Sequence, residues 1–493
     1  MSPIYFPRIS AEEAASLIED GQTVAFSGFT AAGSAKAVPR SLARRAKELH
    51  SKGQPFKLNV LTGASTGKLD DLLAEADAVA WRAPYQSSRI MRKMINEQKI
   101  EFTDMHLSHL PQAVMNGFLG DVNWAVIEAA EVTSDGRIYL PTSIGASPTF
   151  LKTAERVIIE LNRYHSVRLS EMADIAIQPP PPRRSPIPIY HPMNKIGLPY
   201  ASVDPKKIVA VIDHDEPDGI PPMDTPDETS RRIAHQVVDF LLNEMRAGRI
   251  PPEFLPLQAG VGNIANAVMS FLSDDPDVPA FYMYTEVFQD SLIDLMEKGH
   301  LLGASTCSLT VSDDNLQRIY SNMDFFTPRI VLRPQEMSNN PGVIRRLGVI
   351  ALNTALEFDL NGHANSTHIC GKDLVNGIGG SGDFTRNAYL SIFMAPSVVK
   401  NGTISTVVPM VTHPDHSEHS VQVLVTEHGL ADLRSLGPKE KAKTIIDKCA
   451  HPDYRDYLHR YVSGSPSGHI SQNLRDAFEM HINLLEKGTM KIN

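Results

Sequence analysis

The sequence predicts an α/β protein made of two related halves, each built around a mainly parallel sheet. Two observations lead there. Short β-branched runs alternate with longer amphipathic ones, the pattern of strands joined by crossover helices. Matching motifs also recur in the same order in both halves. With 493 residues, the chain is also long enough for two or three domains of about 150 residues each.

The elements follow in chain order. Residues 24–26 (VAF), 58–61 (LNVL), 125–128 (AVIE), 157–161 (VIIEL) and 208–212 (IVAVI) read as buried strands. Residues 11–18, 37–49 and 68–76 read as helices among them. Four consecutive prolines at 179–182, followed by Arg183 and Arg184, exclude helix and central strand there, because proline lacks an N–H and fixes φ. That stretch reads as a loop inside the first half, since 207–212 still looks like a returning strand. Residues 213–229 (DHDEPDGIPPMDTPDET) are polar and rich in proline and acid, and a strong helix over 231–246 follows. They mark the boundary and a candidate hinge, dividing the chain into 1–225 and 226–493.

The repeat is carried by matched pairs. Residues 144–150 (IGASPTF) pair with 378–384 (IGGSGDF), each behind an apolar run and a turn. Asp20-Gly21 leading to Ser27-Gly28-Phe29 pairs with Ala247-Gly248 leading to Gly260-Val261-Gly262.

Composition excludes several classes. Apolar residues at 42% and charged residues at 21% are globular values, not those of a disordered chain. Lys+Arg 47 against Asp+Glu 57 gives a net charge of −10, against the positive field a non-specific nucleic-acid binder needs. Cys307, Cys370 and Cys449 are too few and scattered for a disulfide framework or a zinc site, and fit reduced thiols. No apolar run approaches a membrane span, and residues 1–10 do not resemble a secretory or organellar leader. A cytoplasmic, membrane-free protein is the expectation.

Several places can carry chemistry. Gly260-Val261-Gly262-Asn263 follows the apolar segment 254–257 and precedes a helix over 264–272. It reads either as a tight turn needing positive φ or as a loop whose N–H groups meet an oxyanion or phosphate. The glycine run 377–384 lacks the preceding strand of a dinucleotide site and reads better as a backbone-lined ligand loop. Glu286 follows the aromatic run 281–284, a buried strand, and a helix over 291–298 comes next. It is either a surface glutamate at a strand end or a partly desolvated carboxylate able to act as a nucleophile. His363 and His368, and the group His413, His416 and His419, lack metal-ligand spacing, so no metal site is expected. Thr426-Glu427-His428-Gly429 reads as a strand-end turn, and Lys400-Asn401-Gly402 as a turn with a lysine available to an anion.

Residues 24–29 (VAFSGF), 260–263 (GVGN), 284–286 (YTE), 377–384 and 425–432 (VTEHGLAD) together resemble the class I CoA-transferases over essentially the whole chain. The resemblance is to their acetyl-CoA hydrolase/transferase branch, and within it to bacterial succinate CoA-transferases using propionyl-CoA or acetyl-CoA. Ser27 replaces the first glycine of the wider signature Gly-Gly-Phe, and Thr285-Glu286-Val287-Phe288 replaces the Ser-Glu-Asn-Gly of the oxoacid enzymes. Both departures point to the acetate, propionate and succinate branch.

The resemblance implies two related α/β domains and ping-pong chemistry on Glu286. The carboxylate attacks an acyl-CoA to form a mixed anhydride, CoA returns to give a glutamyl-CoA thioester, and a second carboxylate reverses the steps. It assigns oxyanion donors to the backbone at Val261 and Gly380. It assigns CoA contacts to Val261, Gly262, Asn263, Ile264, Ala265, Asn376, Gly380 and Lys400, and places Asn339 and Glu427 near the small carboxylate. It implies no tightly bound cofactor and no metal, acyl-CoA and small carboxylates as partners, and a homodimer. Two other readings stand beside transfer: hydrolysis of acetyl-CoA, and a non-catalytic acyl-CoA sensor.

Overall fold

The computed structural model describes residues 6–65, 67–222 and 225–492. The first half forms a seven-stranded sheet from β1 (Thr23–Phe26), β2 (Leu58–Leu61), β3 (Val79–Ala83), β4 (Glu101–Phe102), β5 (Trp124–Ala129), β6 (Arg156–Asn162) and β7 (Ile208–His214). The second half forms an eight-stranded sheet. Its strands are β8 (Leu257–Ala259), β9 (Phe281–Tyr284), β10 (Leu301–Thr306), β11 (Ile330–Leu332), β12 (Ile350–Thr354), β13 (Leu390–Met394), β14 (Val423–Thr426) and β15 (Gly429–Asp432).

The strand orders are β7-β6-β5-β1-β2-β3-β4 and β15-β14-β13-β12-β8-β9-β10-β11. The second order repeats the first, strand for strand, with antiparallel β15 added at one edge. All other neighbours in both sheets are parallel. Such strands are covered on both faces, which is why β1, β5 and β13 are buried at every residue and read as continuous apolar runs. In each half the first strand is central, and the chain turns to one side of it and then the other. The crevice at the carboxyl ends of these strands is where open α/β sheets hold ligands.

One core joins the halves. Ile127, Phe150 and Ile159 belong to the same packed cluster as Phe281, Leu292 and Ile350. The motif pair 144–150 and 378–384 occupies corresponding places, each opening a helix, Ser147–Thr153 and Ser381–Thr385, before β6 and β13. Phe150 and Phe384 anchor these helices from wholly buried positions.

Local details differ from the sequence reading. The strand before Gly260 is Leu257–Ala259, because Pro256 and a left-handed Phe254 (φ 62°) keep the preceding residues out of the sheet. The first helix is shorter, Ala11–Ser16, closed at its start by a capping box between Ser10 and Glu13. The polyproline loop touches the first half, with Arg184 donating to Gln112 Oε1 at 3.0 Å. It leads into a strap whose Ile187 and Ile189 pack with Met337, Val343 and Ile344 of the second. The hinge expected over 213–229 is pinned along its first part. Asp218 accepts from Gly33 N at 3.1 Å and pairs with Lys36 at 3.1 Å, and Arg40 holds Glu216 at 2.7 Å. Among the described residues no helix is long and apolar enough to cross a membrane.

Candidate active site between the two sheets

β9 ends at Tyr284, and Thr285 and Glu286 continue past the sheet edge. Their backbone is tied to β10: Thr285 N donates to Ser305 O at 2.9 Å, and Glu286 O accepts from Cys307 N at 2.9 Å and Thr306 Oγ1 at 2.8 Å. The glutamate is thus set on a rigid strand end, and its side chain borders a cavity of about 410 Å³. The first half supplies Phe29, Thr30, Ser65, Tyr85 and Leu107 to that cavity. The second supplies Val261, Asn376 and Gly380 besides Glu286.

Asn339, wholly buried, donates from Nδ2 to Glu286 Oε1. Burial pushes the Glu286 carboxyl up to about 7; the Asn339 hydrogen bond opposes the rise and the nearby Asp383 carboxylate adds to it. Burial also holds the neighbouring Tyr85 hydroxyl and Cys307 thiol above their ordinary ranges. A Cβ on Gly380 would overlap Glu286 Oε1 and Asn339 Nδ2, so only glycine leaves room for the carboxylate. The first half shows the reverse exchange. At the end of β2 the residue in the place of Glu286 is Gly63, and a Cβ there would stand 2.7 Å from Gly28 O and 2.9 Å from Gln335 Oε1.

The remaining predicted residues divide. Asn376 lines the cavity, with Nδ2 donating to the Tyr85 hydroxyl at 3.3 Å. Val261 is 57% exposed at the cavity rim, and Gly262 takes φ 128° just before the helix Asn263–Asp274. Asn263 is exposed, Ile264 is half-buried, and Ala265 is packed in the core, so this helix start offers its backbone more than its side chains. Lys400 sits exposed and left-handed (φ 53°) in the turn after Val398–Val399, and does not line the cavity. Glu427 does not line it either. It follows β14, with β8, β12 and β13 between it and β9, and accepts from Ser397 N at 2.8 Å.

Sequence reasoning missed several groups here. Asp383 accepts from Asn339 Nδ2 at 3.2 Å, and Gln335 reaches across to Leu107 O at 2.8 Å. Asp383 lay inside the glycine run already singled out, but nothing local pointed to its partners. The histidine loops are tied to neighbours: His363 meets Asp359 at 2.8 Å, and His416 meets Ser381 at 3.1 Å. Metal-compatible groupings lie elsewhere, in Glu128, His165 and Asp218 and in Glu128, Glu160 and His214. The Lys36 ammonium sits among them, 2.6 Å from Glu128 and 3.1 Å from Asp218.

Fold and cavity define an α/β enzyme of two repeated parallel-sheet halves, with a half-buried carboxylate facing the space between them. Comparison with known proteins gives the family. The description "Acetyl-CoA hydrolase/transferase N-terminal domain" matches residues 5–213, and the corresponding C-terminal domain matches 316–462. The chain is 57% identical to the propanoyl-CoA:succinate CoA transferase of Escherichia coli, covering 98% of each chain. It is 43% identical to the succinyl-CoA:acetate CoA-transferase of Clostridium kluyveri, over 98% of this chain and 90% of that one. The solved structure of RipA from Yersinia pestis shares the fold, with a TM-score of 0.72 at 24% identity over 93% of this chain and 97% of that one. The chain belongs to the acetyl-CoA hydrolase/transferase family.

Proposed function

We propose that this protein moves CoA between a short-chain acyl-CoA, such as propionyl-, acetyl- or succinyl-CoA, and a small carboxylate such as succinate, acetate or propionate. The observation that carries the reading is the Glu286 carboxylate, fixed at a strand end between two glycine loops and facing the cavity. A carboxyl held near 7 is substantially ionised at neutral pH, and the ionised form is the nucleophile.

Glu286 attacks the thioester carbonyl, and the tetrahedral oxyanion collapses to an acyl-glutamyl anhydride as CoA thiolate leaves. The thiolate then attacks the glutamyl carbonyl, releases the first carboxylate and leaves a glutamyl-CoA thioester. An incoming carboxylate reverses both steps. Each oxyanion needs fixed donors, and the backbone at Val261 and Gly380 is our candidate for them; losing one such donor costs about 3 kcal/mol. The glycine loop and helix start at residues 261–265, with Asn376, are our candidates for the CoA contacts. Position gives Lys400 and Glu427 no support as contacts at this cavity. Asn339 holds the nucleophile and is our candidate for contact with the small carboxylate.

The context belongs to the same proposal. We read the enzyme as a cytoplasmic homodimer of two domains, 1–225 and 226–493, with no tightly bound cofactor, no metal and no nucleic-acid partner. The free thiols Cys307, Cys370 and Cys449 support a reducing compartment; the homodimer rests on the family resemblance.

The test is a CoA-transfer assay over a matrix of short acyl donors and carboxylate acceptors. Transfer requires product acyl-CoA to form only when an acceptor is present. CoA release at the same rate without succinate or acetate would make the protein a hydrolase instead.

A further inference from the structure

Asp383 is buried and takes no part in the steps above. Its Oδ2 accepts from Asn339 Nδ2 at 3.2 Å and from Ser108 N at 3.0 Å, and its Oδ1 accepts from Ser108 Oγ at 2.6 Å. Asn339 Nδ2 also donates to Glu286 Oε1, and Asn339 Oδ1 accepts from Ser338 Oγ at 3.0 Å. A side-chain amide has two N–H hydrogens, and here each carboxylate takes one. Turning the amide over would aim its oxygen at both carboxylates at once, so Asp383 and Glu286 each hold it for the other.

Ser108 comes from the first half, 275 residues away in sequence. Its neighbour Leu107 N donates to Gly379 O at 3.2 Å, in the same glycine loop. The contact therefore ties the setting of Glu286 to the docking of the two halves.

We propose that Asp383 is a positioning residue for the reaction: it fixes the Asn339 amide toward Glu286, and is itself fixed by Ser108. This rests on Glu286 being the nucleophile. The role needs an acceptor in the place of Oδ2. Asparagine supplies one, because the Ser108 hydroxyl can turn and accept from the new amide. Leucine, of similar size, supplies none.

The experiment measures kcat and KM for acyl-CoA in the full chain for Asp383→Leu, Asp383→Asn, Ser108→Ala and Glu286→Ala. An amide turned away misplaces the nucleophile, and a displacement of about 1 Å costs roughly 10²-fold in rate. Asp383→Leu is expected to lose about 10²-fold in kcat with KM within about threefold, the sign of a group that acts on the reacting geometry and not on binding. Asp383→Asn is expected to keep kcat within about tenfold of the parent, and Ser108→Ala to lose about tenfold with KM unchanged. The proposal is overturned if Asp383→Leu keeps the parent kcat, or if Asp383→Asn loses as much as Asp383→Leu. Should Asp383→Leu fail to fold, Ser108→Ala decides, and parent-like kcat there overturns it. Residual transfer by Glu286→Ala would instead remove the reading of the nucleophile on which the proposal stands.

Discussion

At Glu286 the energetic cost and the chemical use are the same fact. Burial raises the carboxyl to about 7, while an unfolded glutamate titrates near 4.5. Between those values the native state holds a proton that the unfolded state has lost, so stability falls as pH rises through that window and is level above it. The size is about 2–3 kcal/mol, at 1.36 kcal/mol per unit and discounted for the opening to the cavity. Glu286→Gln is therefore expected to be more stable than the parent at pH 8, with the gap closing near pH 4, in denaturant titrations at both values. Glu286→Asp withdraws the carboxylate by one methylene, about 1 Å, and is expected to lose about 10²-fold in kcat. Gly380→Ala puts a methyl where Glu286 Oε1 and Asn339 Nδ2 lie. It is expected to lose at least about 10²-fold in transfer, because the carboxylate must move aside.

At the scale of elements, the site is made from strand ends and helix starts. Gly262 at φ 128° joins β8 to the helix Asn263–Asp274, and no atom stands within 4 Å of a Cβ built there. Gly262→Ala thus meets backbone strain without a clash, and is expected to destabilise by about 1–3 kcal/mol, read by thermal or denaturant unfolding. Such elements were legible in sequence because their signals are local. The run 281–284 announces a buried strand, the glycines announce its turns, and the two halves repeat the same order. Contacts such as Asp383 to Ser108 and Gln335 to Leu107 were not legible, since no local pattern announces which side chains that far apart in sequence will touch. Lys400 and Glu427 are not among the residues that line this cavity. Glu427 stands beyond β12 and β13, and Lys400 projects from a surface turn. The packing of Ile187 and Ile189 on Met337, Val343 and Ile344 was not legible either, because the proline run before them says what the segment is not, and nothing about what it packs against.

At the scale of the molecule, the halves are fastened by more than the chain between them. Asp104 accepts from Ile378 N at 3.0 Å, and Asn96 donates to Leu374 O at 3.0 Å and accepts from Leu374 N at 2.9 Å. Wholly buried Arg333 donates to Ser305 Oγ at 2.7 Å and to Pro192 O at 3.0 Å, and pairs with buried Asp174. Arg333→Ala would leave Asp174 buried without its cation, which typically costs about 3–5 kcal/mol. The expected result is a large loss of stability in urea, with the strap more open to proteolysis. The ties from Asp104 and Asn96 to the second half also argue against a swinging hinge. Free and CoA-bound crystals are expected to show the same docking of the halves, with change confined to loops.

The central claim is that Glu286 carries the acyl group and then CoA. The direct measurement is mass spectrometry of the protein after incubation with acyl-CoA and no acceptor, with and without borohydride. The account predicts a CoA adduct on the peptide containing Tyr284-Thr285-Glu286. It also predicts that borohydride reduces Glu286 to the alcohol and inactivates the enzyme only after exposure to acyl-CoA. Modification at another carboxylate such as Glu427 or Asp383, or no adduct from an enzyme that still transfers CoA, would contradict it.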